Sequence, residues 1–473
     1  MDDVVLYAIG AVAFIVIWFA FSFKTAAFAG LLFAAAVVPR TVITIVHGSA
    51  NHSGIASPGV DIHTYSILAV VLVLSLGLAL LRGSIPIAYM VFAALSVILL
   101  IFYWEPSVAR VSGVLLFFVG IAAFIGAFGF ARAFRQSPRI QQGLALVLFM
   151  IALAQAGKSL LQLLSIRSVG TLVSGGEVIT RVNGTLGHPG TLGKVLFFLI
   201  LLALPLTRSA TKSVRILSWV TVGLASVTLG LTFGRANIAA AGVLLLAWIL
   251  FAIKTRLWVR LAVLGAIIVA AVPVLAVVIQ RSTFDPFGGS RPKLIPAALE
   301  QISREPWFGI GPNSYVSVVS AFDVHTKENL PVHNSFLLLT AEMGIVLAAL
   351  FLIPLVTVVV RAVMSLKREP LVSGYALSLL GAVPGIVLTA FTGWGLFAQS
   401  ILPLVLLCFG FVAGMMKDAD DAPAFSAVEA NAAVSWRFWR REFWTWRSPA
   451  GRSSVRDREA TDAGAESSPP LSA

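Results

Sequence analysis

The chain has 473 residues, of which 58% are hydrophobic and only 12% charged. A soluble globular domain is close to half apolar and a quarter charged, so this balance excludes an ordinary soluble protein and excludes a disordered one. The net charge of +13 comes from basic residues set mostly between apolar runs, which points to membrane orientation and not to nucleic acid.

Apolar runs occur near 4–22, 26–46, 64–81, 85–103, 111–130, 140–164, 186–206, 216–232, 236–253, 261–279, 335–360, 373–391 and 396–416. A bilayer span needs about 20 mostly apolar residues, and backbone polar groups in lipid must be satisfied within the segment, which selects helices. The sequence therefore predicts an all-α polytopic membrane protein with 12 or 13 transmembrane helices over 1–416. The count depends on the second run, which carries Pro39 and Arg40. The first run is predicted to be a retained span, because Met1-Asp2-Asp3 lacks the basic start of a signal peptide. Cys408, the single cysteine, lies in an apolar run and has no internal partner for a disulfide.

Loop charge sets the orientation. Alternate short loops hold 14 Lys and Arg, from Lys24 through Arg368, whereas the opposite short loops hold 4: Arg110, Arg167, Arg181 and Arg235. The positive-inside rule places the first set in the cytoplasm. The amino terminus is then outside, and 280–334 is a long external loop. Within it, Ser290-Arg291-Pro292 has the signature of a helix start. The tail 417–473 is predicted to be cytoplasmic and largely disordered. Its segment 435–447 alternates Trp, Phe and Arg, a composition suited to the membrane surface.

The spans contain almost no acid but do contain Lys158 and Lys194, both one to two turns from the external side. Arg181, Arg235 and Arg291 share that side. A charge in the membrane is costly and tends to face a cavity or a partner. The group is predicted to line a basic external cavity that receives a phosphate or diphosphate, with snorkelling as the bland reading of either lysine alone. His333 directly precedes the helix starting near 335, with Asn334 or Ser335 as its cap. The positive end of the helix dipole favours a neutral imidazole there, which makes His333 a candidate general base. Trp307 and Phe308 are candidate stacking partners for a sugar or acceptor. The first external loop holds His47, His52, Asp61 and His63. Their spacing matches no tight ligand pattern, so surface histidines are expected and no metal site.

Several of these stretches occur in a fixed order: Arg181-Val-Asn-Gly-Thr-Leu-Gly-His188-Pro189, then Phe233-Gly234-Arg235, Arg291, Glu305-Pro306-Trp307-Phe308-Gly309-Ile310-Gly311-Pro312, and His333-Asn334 followed by Glu342-Met343-Gly344. In this the chain resembles the O-antigen ligase and O-antigen polymerase superfamily of bacterial membrane proteins over about 181–345. Gly190 stands where the family often has Asn, and Phe-Gly-Arg-Ala replaces a commoner Ser-Arg-Gly turn. The resemblance implies a GT-C-like bundle and an inverting, metal-independent glycosyltransferase without a cofactor. It implies that a glycan passes from an undecaprenyl-diphosphate carrier to a glycan, lipid or protein acceptor, on the external face of the bacterial inner membrane. It further implies that Arg235, Arg291 and Arg181 hold the diphosphate and that His333 activates the acceptor, which Asn334 adjoins. A transporter or channel for an anionic solute or lipid is the alternative built on the same cations, and a scaffold in envelope assembly is a third.

Overall fold

The computed structural model describes residues 3–48, 54–81, 85–164, 171–174, 177–252, 291–328 and 330–417, with isolated positions between 258 and 279. The tail segment 435–447, His52 and most of the apolar run 261–279 lie outside the described residues.

The chain is an all-α polytopic membrane protein. Among the described residues, six helices are long and apolar enough to cross a bilayer, and further apolar helices are shorter. In chain order the described helices are α1 (Asp3–Ala20), α2 (Phe23–Ala36), α3 (Thr64–Leu81), α4 (Ile87–Phe102), α5 (Val108–Gln136), α6 (Pro138–Leu164), α7 (Pro189–Ala203), α8 (Lys212–Leu231) and α9 (Arg235–Phe251). After these come α10 (Leu294–Arg304), α11 (Tyr315–Val319), α12 (Ser335–Ser365), α13 (Pro370–Thr392) and α14 (Ile401–Met416). Two short antiparallel hairpins complete the described elements: β1 (Thr41–Val46) with β2 (Val60–His63), and β3 (Thr171–Ser174) with β4 (Glu177–Thr180).

The second apolar run is corrected by the structure. Only 23–36 is helical, and 41–46 is a strand. Pro39 cannot donate to a helix and biases its predecessor away from helical dihedrals. The β-branched run Thr41-Val42-Ile43-Thr44-Ile45-Val46 then favours a strand. At about 1.5 Å per residue, the 14 residues of α2 span roughly 21 Å.

The bundle is held by close backbone approach. At Gly410 a Cβ would lie 2.1 Å from the Phe124 carbonyl oxygen, and at Gly414 2.2 Å from that of Phe128. This small-xxx-small stripe lets α14 seat directly on α5. Phe28, Phe130, Phe134, Phe411 and Tyr375 fill the space alongside with tilted and edge-on ring contacts.

One end of the bundle is closed by Arg135, which pairs with Glu369 and donates to the Lys417 carbonyl, and by Arg368, which donates to the Met416 carbonyl. The starts of α7, α9 and α12 lie together at a shared cavity, away from these residues.

Helix α12 is broken near its start. Gly344 has φ 68° and ψ 172°, a conformation essentially confined to glycine. Backbone groups freed by the break are satisfied by the preceding loop, as a membrane-embedded backbone requires. Gly311 N donates to Glu342 O (2.8 Å), Ile310 N to Ala341 O (3.4 Å), Ile345 N to Pro306 O (2.8 Å) and Val346 N to Trp307 O (3.2 Å). Gly309 (φ 63°) and Gly344 face each other's backbones so closely that a Cβ on either would fall within 2.5 Å of a carbonyl oxygen. The buried Glu342 carboxylate accepts from Tyr315 N at 3.0 Å, at the start of α11. The Pro-x-x-Gly-x-Gly and Glu-x-Gly motifs are thus two halves of one joint that docks the loop before α12 on that helix.

Candidate active site

A cavity of about 650 Å³ opens between the starts of α7, α9 and α12 and the 389–401 segment that links α13 to α14. Arg181, Lys194, Arg235, Arg291 and His333 all line it. Arg181 and His333, 152 positions apart (333 − 181), therefore meet at one end of the bundle. His188 lines it as well.

The cations are set by backbone contacts. Arg181 Nε donates to the Thr232 carbonyl at 2.8 Å, and Val182 N to the Leu231 carbonyl at 3.4 Å, which fastens the Arg181 stretch to the end of α8. The turn that follows is fixed by α6: Gln162 Oε1 accepts from Asn183 N and Gly184 N, each at 3.1 Å, and Gln155 Oε1 accepts from Thr185 N at 3.0 Å. Arg235 opens α9 after Phe233, a non-glycine residue at φ 48°. Strain of this kind persists only where the surroundings enforce it. Arg291 donates from Nη1 to the Thr392 carbonyl at 3.4 Å, tying the loop before α12 to the end of α13. Lys194 is half-buried on α7, and a Cβ at Gly395 would lie 2.9 Å from its ammonium. Asn237, buried at the start of α9, donates to the Gly190 carbonyl at 3.2 Å and holds α9 against α7.

The two histidines present opposite faces. His333 Nδ1 lies 3.0 Å from the Pro331 carbonyl oxygen. A carbonyl only accepts, so Nδ1 carries the proton and Nε2 has the lone pair. His188 caps α7, and its Nδ1 accepts from Gly190 N at 3.1 Å. An amide N–H only donates, so the His188 proton is on Nε2. Burial, then Arg291 and Lys194, push the His333 pKa down to about 4, against an opposing effect of the Pro331 bond. His188 is also held below its ordinary value, first by desolvation and then by Lys194, Arg181 and Arg291. Both imidazoles are therefore neutral near pH 7: one is a bare acceptor, the other a donor.

Four expected residues are placed elsewhere. Lys158 is half-exposed and does not line the cavity. The face of α6 that meets the 183–187 turn carries Gln155 and Gln162, and Lys158 sits beside it where a long side chain snorkels to the surface. Trp307 is 63% exposed, and Phe308 packs edge-on against Tyr103 with centroids 5.8 Å apart. The Phe308 carbonyl also accepts from Trp104 Nε1 at 3.0 Å. Neither ring lines the cavity, because both belong to the loop–helix joint. The Asn334 carboxamide oxygen is committed to the cap of α12, accepting from Phe336 N (3.0 Å) and Leu337 N (3.1 Å).

Other contributors carried weak signals. His188 stood in a motif but had no assigned role. The segment Thr392-Gly393-Trp394-Gly395 through Ile401 supplies one wall of the cavity, and only its paired glycines between two apolar runs marked it in the sequence. Among the described residues, no group of three or more His, Cys, Asp or Glu could hold a metal ion.

A comparison with curated proteins found no match to the chain. Residues 220–352 match the family model described as O-Antigen ligase, and this stretch holds Arg235, Arg291 and His333. Over that stretch the chain is similar to the O-antigen ligase family.

Proposed function

We propose that the chain is an inverting, metal-independent glycosyltransferase of the O-antigen ligase or polymerase type. It transfers a glycan from an undecaprenyl-diphosphate carrier to an acceptor hydroxyl during cell-envelope polysaccharide assembly. The observation that carries this reading is one cavity in which Arg181, Lys194, Arg235 and Arg291 surround a neutral His333 whose Nε2 is a proton acceptor. The loop-charge count of 14 against 4 supports an orientation with this end of the bundle outside and the carboxyl terminus in the cytoplasm, and the resemblance to O-antigen ligases supports a bacterial inner membrane.

The cations compensate the diphosphate charge that a metal ion balances in other enzymes, with Arg suited to bidentate phosphate contacts. His333 Nε2 takes the proton from the acceptor hydroxyl. That oxygen attacks the anomeric carbon from the face opposite the diphosphate. A new C–O bond forms, the bond from the anomeric carbon to phosphate oxygen breaks with its electron pair, and the configuration inverts. The diphosphate carrier leaves with the added charge held by the cations in a site shielded from water. His188 Nε2–H donates to the same diphosphate. The positive groups thus serve the leaving group, and they also keep His333 unprotonated and ready as a base.

His333→Ala tests the assignment. The variant should insert and bind carrier lipid normally while losing transfer by roughly 100-fold or more, the usual range for a general base. Normal transfer would remove His333 from the mechanism. The transporter reading keeps the cations but gives the fixed imidazole pair no task. In proteoliposomes, glycan transfer without solute flux supports the enzyme, and flux without transfer supports transport.

A further inference from the structure

A second cavity, of about 140 Å³, lies beside the cationic one, and Gln399 lines both. Its walls come from the β1–β2 hairpin and the loop before β2, from the start of α3, and from one face of α5. These walls are pinned. Gln399 is held at φ 43°, and its amide donates to the Ile55 carbonyl at 2.7 Å. Asn313, fully buried in the loop before α12, accepts from Ala56 N (3.0 Å) and donates to the carbonyls of Ser57 (3.0 Å) and Ala109 (3.1 Å).

The lining is polar on one side and apolar on the other. Asp61 accepts from Thr44 Oγ1 at 2.6 Å through one carboxylate oxygen. The His63 ring lies between Thr41 Oγ1 (3.2 Å) and Ser57 Oγ (3.3 Å). Burial lowers the His63 pKa even though Asp61 pulls it upward. Tyr65 is 1% exposed and Ser112 7%. Both residues line the cavity. Each carries a hydroxyl that can donate to and accept from a ligand with hydroxyl groups. Ile62, Leu116 and Val119 form the apolar wall.

This chemistry selects its ligand class. Asp61 repels the anions that the neighbouring cavity attracts. An apolar ligand has no polar group to offer the wall formed by Asp61, His63, Tyr65 and Ser112. A neutral ring with hydroxyls at its edge and C–H groups on its face meets both walls. At about 30 Å³ per water of liquid volume, 140 Å³ holds on the order of five waters, which suits one ring and not an oligosaccharide.

We propose that the second cavity is a subsite for one neutral pyranose residue of a glycan whose reacting end lies in the cationic cavity. Asp61 and His63 bind its hydroxyls, and Tyr65 reads one hydroxyl position. The proposal rests on the glycosyltransferase reading for its link to the chemistry, and the ring can belong to the donor glycan or to the acceptor.

The test uses the full chain in nanodiscs. The probes are methyl glycosides of neutral hexoses and N-acetylhexosamines, read by saturation-transfer NMR, and undecaprenyl diphosphate, read by equilibrium binding. Wild type should bind at least one glycoside. Asp61→Asn should weaken it about tenfold, and Tyr65→Phe, which removes a single hydroxyl, several-fold. Both variants should keep undecaprenyl-diphosphate affinity within twofold, which also shows that they fold. No glycoside binding by wild type, or unchanged binding in both variants, overturns the subsite. Loss of undecaprenyl-diphosphate binding in wild type instead overturns the glycosyltransferase reading and leaves the glycoside result standing. In a transfer assay, Asp61→Asn raises the KM for the donor alone if the ring is the donor's, and for the acceptor alone if it is the acceptor's. Unchanged KM for both overturns the proposal.

Discussion

Gly344→Ala probes the joint between α12 and the loop before it. The substitution places a Cβ 2.2 Å from the Trp307 carbonyl oxygen and 2.4 Å from Phe308 N, at a φ of 68° and ψ of 172°. The backbone conformation alone costs a non-glycine residue about 1–3 kcal/mol. The overlap is with backbone, so the loop must withdraw. The four loop–helix hydrogen bonds across the break are then lost at about 0.5–1.5 kcal/mol each. The sum, roughly 3–9 kcal/mol, is comparable to the whole stability of a typical domain, about 5–15 kcal/mol. Gly157→Ala is the matched control, because a Cβ there meets nothing within 4 Å and alanine favours the helix by up to about 1 kcal/mol. Thermal unfolding in detergent should show Gly344→Ala melting roughly 3–9 °C below wild type, at about 1 kcal/mol per °C for a chain of this length, and Gly157→Ala at or slightly above it. A Gly344→Ala protein that melts with wild type would refute the joint as a structural element.

Two further predictions concern the histidines. With a pKa of about 4, His333 stays unprotonated through neutral pH, so the transfer rate should hold steady from pH 8 to near 5 and fall only toward 4. A fall centred near 6.5 contradicts the assignment. Because the folded value lies below the unfolded 6.5, the contribution of His333 to stability is complete above pH 6.5 and is lost as pH falls toward 4. His188→Asp should fold, since Asp is a favoured helix cap. It places a carboxylate in the anion cavity, so undecaprenyl-diphosphate affinity should drop at least about tenfold while the melting temperature stays near wild type. Unchanged affinity would remove His188 from the diphosphate site.

Much of this was legible in the sequence, because a bilayer leaves few choices. Apolar runs of about 20 residues must be helices, and loop Lys and Arg orient them, so the external ends of α7, α9 and α12 followed from composition. The grouping of Arg181, Lys194, Arg235, Arg291 and His333 followed from the same topology, since charges at one depth and one end of a bundle have few places to go. Lys158 matched them in depth but not in helix face, and depth alone carries no facing information. The second run gave a shorter helix followed by a strand because Pro39 and six β-branched residues outweigh hydrophobicity. Trp307 and Phe308 looked like ligand contacts because exposed aromatics beside glycines read that way. The joint that uses those glycines pairs residues more than thirty positions apart, and no local pattern encodes it. The opposed proton positions of His188 and His333 were hidden for a similar reason, since each depends on one backbone atom placed by the fold.

Equilibrium binding of undecaprenyl diphosphate to the purified protein tests the central claim most directly. Wild type should be compared with a triple variant carrying Lys194→Met, Arg235→Gln and Arg291→Gln. A charge-assisted contact is worth about 1.5–3 kcal/mol, so removing three should weaken binding by at least about 100-fold at an unchanged melting temperature. Affinity within about threefold of wild type would mean that these cations do not hold the carrier, and the account of the cavity would be wrong.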